Sequence, residues 1–448
     1  MRKVYISIAS LLLFGSVLMA QAPANRTAKT TAADVLAQMP AEKQAEYNKL
    51  ISDLKGTGEE GVLMLVNMIN APGKGSNAQV DYALSGLTHY VMAKGEESAR
   101  LATANAYLKA LDMVNERETK AFIIRQLQLL GQDECIDALS SYLNEESLSG
   151  PAARALASIG TENAGKALKA ALMRRMGTPK TQKDIIVAIG EAQVKDSEEL
   201  LKALLGSGDE NMQKAVLHAL SRVGSKASIK EMADAAAAAG YTMTNTQANE
   251  AYIALLKRVA GQGDVKEVEK AANDLLKKAT KAGKTQTRDA ALQILLSLKK
   301  ENSTKLLLSA LKDTDKAYRN AALNYASDFA NKEVYIEVMK AMQKAKPEAK
   351  VDIINWIGRE AKCPSKHDVI KNLELRFDLT AMQVLLAQLK STDFDVKQAT
   401  VWTLVKIGDK QVIPVLAELL ASNDKQIILL GQDALAAFNG DIDQAVAR

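Results

Sequence analysis

The feature that most limits the fold is a recurrence. Between Glu116 and Gly261 an amphipathic stretch ends on glycine five times, at Gly131, Gly160, Gly190, Gly224 and Gly261, in steps of 29, 30, 34 and 37 residues. A unit of this length is one helical hairpin, and one hairpin cannot bury both of its apolar flanks; copies on either side must cover them. The pattern continues without the glycine in ALQILLSLKK, to Lys300, and AALNYASDFA, to Ala330, and the glycine returns at Gly358, Gly408 and Gly440. The step from Gly358 to Gly408 is 50 residues and holds the irregular REAKCPSKH and an extra helical segment around Leu379 to Leu389. A break or bend in the array is expected there.

The stretch Asp393 to Leu420 shows the unit most clearly. Val396, Ala399, Thr400, Thr403, Leu404 and Ile407 fall at steps of three and four and share one helix face. Gly408 can take the positive φ that ends a helix without a Cβ penalty. Asp409 can cap a second helix, whose stripe is Val412, Val415, Leu416, Leu419 and Leu420; Pro414 puts its start near Ile413 or bends it. Mid-chain, Met212, Ala215, Val216, Ala219, Leu220 and Val223 form a stripe ending at Gly224, after which Ser228 and Glu231 have the spacing of a capping box.

This unit resembles a HEAT repeat through Asp395-Val396-Lys397, Ala399, Ile407-Gly408-Asp409, Ile413-Pro414-Val415-Leu416 and Leu419-Leu420, with Lys397 where that family has arginine. Asp313 to Phe329 repeats the signature with Tyr318-Arg319 and Ala322. Repeats of roughly 30 residues are similar to the short HEAT-like subclass named after phycobilisome lyases, over Glu116 to the end of the chain. The resemblance implies an all-α fold, a right-handed alpha-alpha superhelix (HEAT-like solenoid, armadillo-type), and a scaffold rather than a given chemistry. The amino-terminal segment and repeat style also look like the front part of Bacteroidetes proteins of the 3-keto-disaccharide hydrolase type, whose catalytic β-sandwich has no counterpart in this sequence.

Composition agrees with many thin layers rather than one large core: hydrophobic residues are 47% but aromatics only 4%. No series of alternating strands is present, so no sheet is expected in the second half. The formal net charge is +5, or +3 without Arg2 and Lys3, too little over 448 residues to imply nucleic acid.

Residues 1–20 read as a secretory signal peptide: Arg2 and Lys3, an apolar core from Val4 to Met19, and Ala20 or Ala22 for cleavage. The alternative is an amino-terminal membrane anchor. No cysteine follows the core, which argues against a lipid anchor, and no later run reaches about 18 apolar residues. The mature chain is expected to be soluble, without a membrane span, and periplasmic or secreted. Residues 21–40 read as a flexible tether, 41–115 as an irregular helical cap, 116–358 as the regular repeats and 359–448 as a second block after the insertion. At the end, Lys425 to Phe438 leaves eight residues after Gly440 for a partner helix, and Ile427, Ile428, Leu429 and Leu430 cannot all face inward. This end is expected to be uncapped and to dock another protein or a further domain.

Catalytic, cofactor-binding and metal-ligating residues are not assigned. His89, His218 and His367 lack ligand spacing, and HExxH, CxxC, G-x-S-x-G and phosphate-loop patterns are absent. His218 sits beside its apolar stripe and is expected at the surface or in a groove. Cys135 and Cys363 lie 228 positions apart, several repeats in an array, whereas a disulfide needs Cα atoms within about 7 Å, so no bridge is expected. Cys135, in line with Leu139 and Leu143, reads as core.

Second helices carry a basic bias: Lys166, Lys169, Arg174, Arg175, Lys202, Lys230, Lys266, Lys270, Lys277 and Lys305. If these helices line a concave face, that face would attract an acidic protein or anionic glycan; interleaved Glu198, Glu231, Glu267 and Asp274 leave a plain solvated face as the alternative. Trp402 is a candidate sugar-stacking residue or a packing residue between repeats. The reading that follows is a non-catalytic exported scaffold holding a partner protein. The alternatives are the amino-terminal module of a secreted carbohydrate-active hydrolase and direct glycan binding by the concave face.

Overall fold

Amphipathic stripes at helical spacing become helices wherever a neighbour covers them, and the chain is helical almost throughout. The structure is a computed structural model, and it describes residues 26–174, 177–207, 209–376 and 379–438. The signal-peptide reading, residues 21–25 of the tether, Arg175, Gly440 and the last eight residues lie outside the described residues. Two compact units are present, Met1–Val194 and Lys195–Arg448. Each is an all-α array of paired helices, the superhelical class expected from the sequence.

The first unit holds α1 (Ala28–Ala37), α2 (Gln44–Gly56), α3 (Gly58–Asn67), α4 (Ala78–Val91), α5 (Glu97–Met113), α6 (Arg117–Leu130), α7 (Ile136–Ser141), α8 (Ser149–Ile159), α9 (Glu162–Met173) and α10 (Pro179–Glu191). One layer runs α2, α4, α6, α8, α10, each helix packed on the next; on the other side α1 packs on α3, α3 on α5, and α7 on α9. Helix α1 corrects the tether: Thr27 caps it, and Thr31, Ala32 and Val35 are buried. An Ala- and Thr-rich stretch gives only three buried side chains, too few to stand out from a linker by composition.

The second unit holds α11 (Glu198–Lys202), α12 (Glu210–Val223), α13 (Ile229–Ala238), α14 (Ala248–Gly261), α15 (Val265–Lys281), α16 (Thr285–Lys299), α17 (Thr304–Ala310), α18 (Lys316–Ala326), α19 (Lys332–Gln343), α20 (Pro347–Glu360) and α21 (Pro364–Lys371). There follow strands β1 (Glu374–Arg376) and β2 (Leu379–Thr380), then α22 (Ala381–Gln388), α23 (Phe394–Ile407), α24 (Ile413–Ala417) and α25 (Lys425–Ala436). Its first-helix layer is α12, α14, α16, α18, α20, α23, α25, each packed on the next. One apolar cluster runs from Leu292 to Leu435.

Several local expectations need correction. The strands form a two-stranded antiparallel hairpin, so the second half does contain a small sheet. It lies inside the 50-residue step, where the 3-residue strand is too short to show alternation. The same step does not interrupt the stack, because α20 packs directly on α23. Gly190 and Gly358 lie inside α10 and α20 rather than ending them, whereas Gly160 and Gly408 cap α8 and α23 with φ of 66° and 71°. Ser228 does not close a capping box. Its hydroxyl donates to Glu198 Oε1 at 2.5 Å, and Glu198 also accepts from the Ser225 backbone at 2.8 Å. Leu420 leaves its stripe because Glu418–Ala421 tightens into a 3-10 turn, which advances three residues per turn and rotates the apolar face.

Gly358 shows what the stack requires. A Cβ there would come 2.6 Å from Thr403 Oγ1 and 3.3 Å from its Cα, and that hydroxyl is already engaged, donating to the Ile354 carbonyl at 2.9 Å. The glycine therefore sets the approach of α20 to α23. Gly358→Ala should destabilise the second unit by about 1–3 kcal/mol through overpacking, although alanine in an open helical site is favoured by roughly 0.5–1 kcal/mol. Gly261, at the end of α14 with nothing within 4 Å of its Cβ position, should show the opposite sign when changed to alanine. Urea midpoints of the two variants test the pair, and a stabilising Gly358→Ala would show that the helices are not in close contact.

Candidate functional site

A concavity in the second unit begins with a turn. Between α17 and α18 the chain reads Leu311-Lys312-Asp313-Thr314-Asp315. Asp315 caps α18 by accepting from the Ala317 backbone at 2.8 Å, and Asp313 accepts from the Asp315 backbone at 2.9 Å. Arg319, one turn into α18, donates to the carbonyls of Asp313 and Thr314 at 2.9 and 3.0 Å and reaches Asp352 on α20 at 2.7 Å. Asp352 also accepts from Asn320 at 2.9 Å. Arg319 and Asp352 are 4% and 3% exposed, so this ion pair is a staple inside the stack rather than a surface ornament.

A second cation fixes the other side of the turn. Arg288 on α16 pairs with Asp313 and lies 3.5 Å from the Tyr318 ring centre. Burial pushes the Asp313 carboxyl up, but the Arg288 and turn N–H hydrogen bonds outweigh it and hold the group below the usual carboxylate range.

The next inter-helix turn, Lys344-Ala345-Lys346, comes one repeat later and lies opposite. Pro347 opens α20, and Lys346 at its N-cap has no side-chain acceptor, so the first turn is uncapped by side chains. Between the two turns lies a groove of 770 Å³. That is within the about 300–1,000 Å³ of ligand pockets. Its floor is aliphatic, built from Leu308, Leu311, Ala345, Ala349, Val351 and Ile353. Its rim carries Lys312, Lys316, Lys344 and Lys346, all exposed and none in an ion pair among the described residues. Glu348 and Asp395 are the lining carboxylates left over once Asp313 and Asp352 are paired, so the rim is net positive.

The residues singled out from the sequence lie elsewhere. Lys166 and Lys169 lie on α9, with Arg174 just after it; Lys202 is on α11, Lys230 on α13, Lys266, Lys270 and Lys277 on α15, and Lys305 on α17. Some are neutralised locally: Lys166 by Glu162 at 2.6 Å, Lys202 by Glu199 at 2.8 Å, and Lys230 by Asp234 at 3.5 Å. Lys266, Lys270, Lys277 and Lys305 are exposed. Trp402 is half-buried against the core cluster. Ile427 and Ile428 are half-buried, Leu430 is buried and Leu429 is 49% exposed, with Leu420 beside them at 37%. His218 and His89 are exposed, and His367 Nδ1 is 2.8 Å from the Ala361 carbonyl oxygen. Among the described residues no cluster of three His, Cys, Asp or Glu could hold a metal ion, and no helix is long and apolar enough to cross a membrane.

The groove lysines escaped the sequence reading because they sit on turns or, for Lys316, at the first residue of α18, outside any stripe. A usable signal was present: Arg319 and Asp352 are 33 positions apart, one repeat, and each is followed or preceded by a lysine-bearing turn.

The two free cysteines differ in chemistry. Burial pushes the Cys135 thiol up to about 11, with Glu134 adding to it. The Ser365 hydroxyl at 3.2 Å and the Ser365 backbone N–H pull the half-buried Cys363 thiol below its ordinary value. A lowered value means thiolate forms at lower pH, so iodoacetamide at neutral pH should label Cys363 quickly and Cys135 only on unfolding. Mass mapping of the alkylated peptides checks this; equal labelling of the two would contradict the burial of Cys135.

The HEAT repeats family model matches residues 171–253 and 365–436. No curated protein matches the chain. Among solved structures it is similar to one described as "Kap95:Nup1 complex", at 10% identity and a TM-score of 0.47, covering 94% of this chain and 63% of that one. The chain thus spans 63% of the length of that relative. It is also similar to a structure described as "A conserved phosphorylation switch controls the interaction between cadherin and beta-catenin in vitro and in vivo", at 12% identity and a TM-score of 0.25, covering 92% and 95%.

Proposed function

We propose that this chain is a non-catalytic scaffold that holds a partner protein, and that it works outside the cytoplasm. The observation that carries the first part is the 770 Å³ groove, whose walls are fixed by the Arg319–Asp352 and Arg288–Asp313 pairs before any ligand arrives. Preorganised walls reduce the ordering cost of association, and stacked hairpins offer extended surfaces suited to polypeptides. The second part rests on the basic start and apolar core of residues 1–20.

A photoreactive residue at Thr314, in the groove of the full chain, tests the scaffold reading in the native cell. A discrete crosslinked protein band is expected; absence of protein adducts there and at other exposed positions of the second unit would overturn it. Amino-terminal sequencing of the mature protein tests export, which predicts a start at residue 21 or 23.

A second reading, a module of a larger secreted hydrolase, has its support in exposed Leu420 and Leu429 at the last described helices. Those side chains could seat a further domain, and the reading frame beyond Arg448 decides it.

A further inference from the structure

We infer that the groove between the 311–316 and 344–349 segments binds an acidic peptide segment carrying an aliphatic or aromatic anchor. This rests on the scaffold reading and names the site and the chemistry of the partner. Three observations select the occupant. The rim presents four exposed ammonium groups against two unpaired carboxylates, so the approaching segment carries net negative charge. The uncapped first turn of α20, lined by Glu348 and Ala349, adds the positive end of a helix dipole on the same side. The floor is aliphatic, with Leu308 and Val351 only half-buried, and gains from covering by an apolar side chain.

The same lining argues against other anionic ligands. Among the described residues no aromatic side chain lines the groove, so neither sugar rings nor bases have a stacking platform there. A free phosphate would meet the lysines but leave the floor empty. Because Arg319 and Asp352 are already satisfied by each other and by the turn, they position the walls rather than contact the peptide.

The test is selection of phage-displayed random dodecapeptides on the full chain, with the Lys312→Glu/Lys316→Glu/Lys344→Glu/Lys346→Glu variant as control. All four side chains are exposed, and unchanged circular dichroism and urea midpoint would establish that the variant is folded; Lys344→Gln/Lys346→Gln serves if it is not. Enriched sequences should place Asp and Glu around an apolar residue, lose at least about tenfold in affinity in the variant, and weaken with salt as exposed charge pairs do. No enrichment, enrichment of basic or uncharged peptides, or equal binding to the variant would overturn the inference. Crosslinks from Thr314 or elsewhere that persist in the charge-reversed chain would leave the scaffold reading standing while removing this one.

Discussion

Arg319→Met is expected to lower the stability of the second unit by about 3–5 kcal/mol, the cost of breaking a buried ion pair from one side. The guanidinium makes four bonds or contacts that no other group replaces: the Asp313 and Thr314 carbonyls lose a donor, and Asp352, 3% exposed, keeps only Asn320. Much of the penalty is the stranded Asp352 charge rather than the lost pair. The double variant Arg319→Met/Asp352→Leu should therefore recover a large part of it. Arg319→Lys should rescue poorly, since one ammonium cannot match a planar fork that reaches two carbonyls and a carboxylate. Urea unfolding of the three variants measures this; a loss below about 1 kcal/mol for Arg319→Met, the range of exposed pairs, would mean that the staple is solvated.

The second large effect is expected at Trp356. Its ring is fully buried, lies 5.4 Å from that of Tyr335, and its Nε1 donates to Ser327 Oγ at 2.9 Å. Around it Tyr335 donates to Glu360 at 2.7 Å, and Lys366 donates to both Glu360 and the Ser327 carbonyl at 2.6 Å. Trp356→Ala removes a large core side chain and a hydrogen bond from a network with little water access, at a cost of about 3–5 kcal/mol. Trp356→Phe keeps most of the apolar area and should cost less. Trp402, the other tryptophan of the chain, reports unfolding of the same unit by fluorescence in both variants. A Trp356→Ala midpoint equal to wild type would show that the ring does not support the α19–α20–α21 junction.

What could be read in advance followed the periodicity. The stripes on α12 and α23 are buried almost residue for residue, and Cys135, Leu139 and Leu143 pack inside as expected. Periodic burial is local information, since each helix carries its own face. Features set by neighbours were harder to see. Gly358 reads as a helix stop in one dimension, but its role is set by Thr403, 45 positions later. Ser228 and Glu231 have capping-box spacing, yet Glu198, at the start of α11, competes for the hydroxyl. The groove is the extreme case. Lys312 and Lys316 face Lys344 and Lys346 only because two turns one repeat apart are brought together by stacking. The lysines singled out from sequence lie on regular second helices, where a basic bias is visible but several charges are answered by carboxylates one turn away.

The central claim is that each hairpin of the second unit is covered by its neighbours in chain order, and hydrogen exchange of Arg319→Met tests it most directly. Protection should fall most in α18 and α20, less in α16 and α23, and least in α12 and α14, a gradient that follows the stack. Uniform loss of protection from α12 to α25 would instead describe a single cooperative globule and contradict the account.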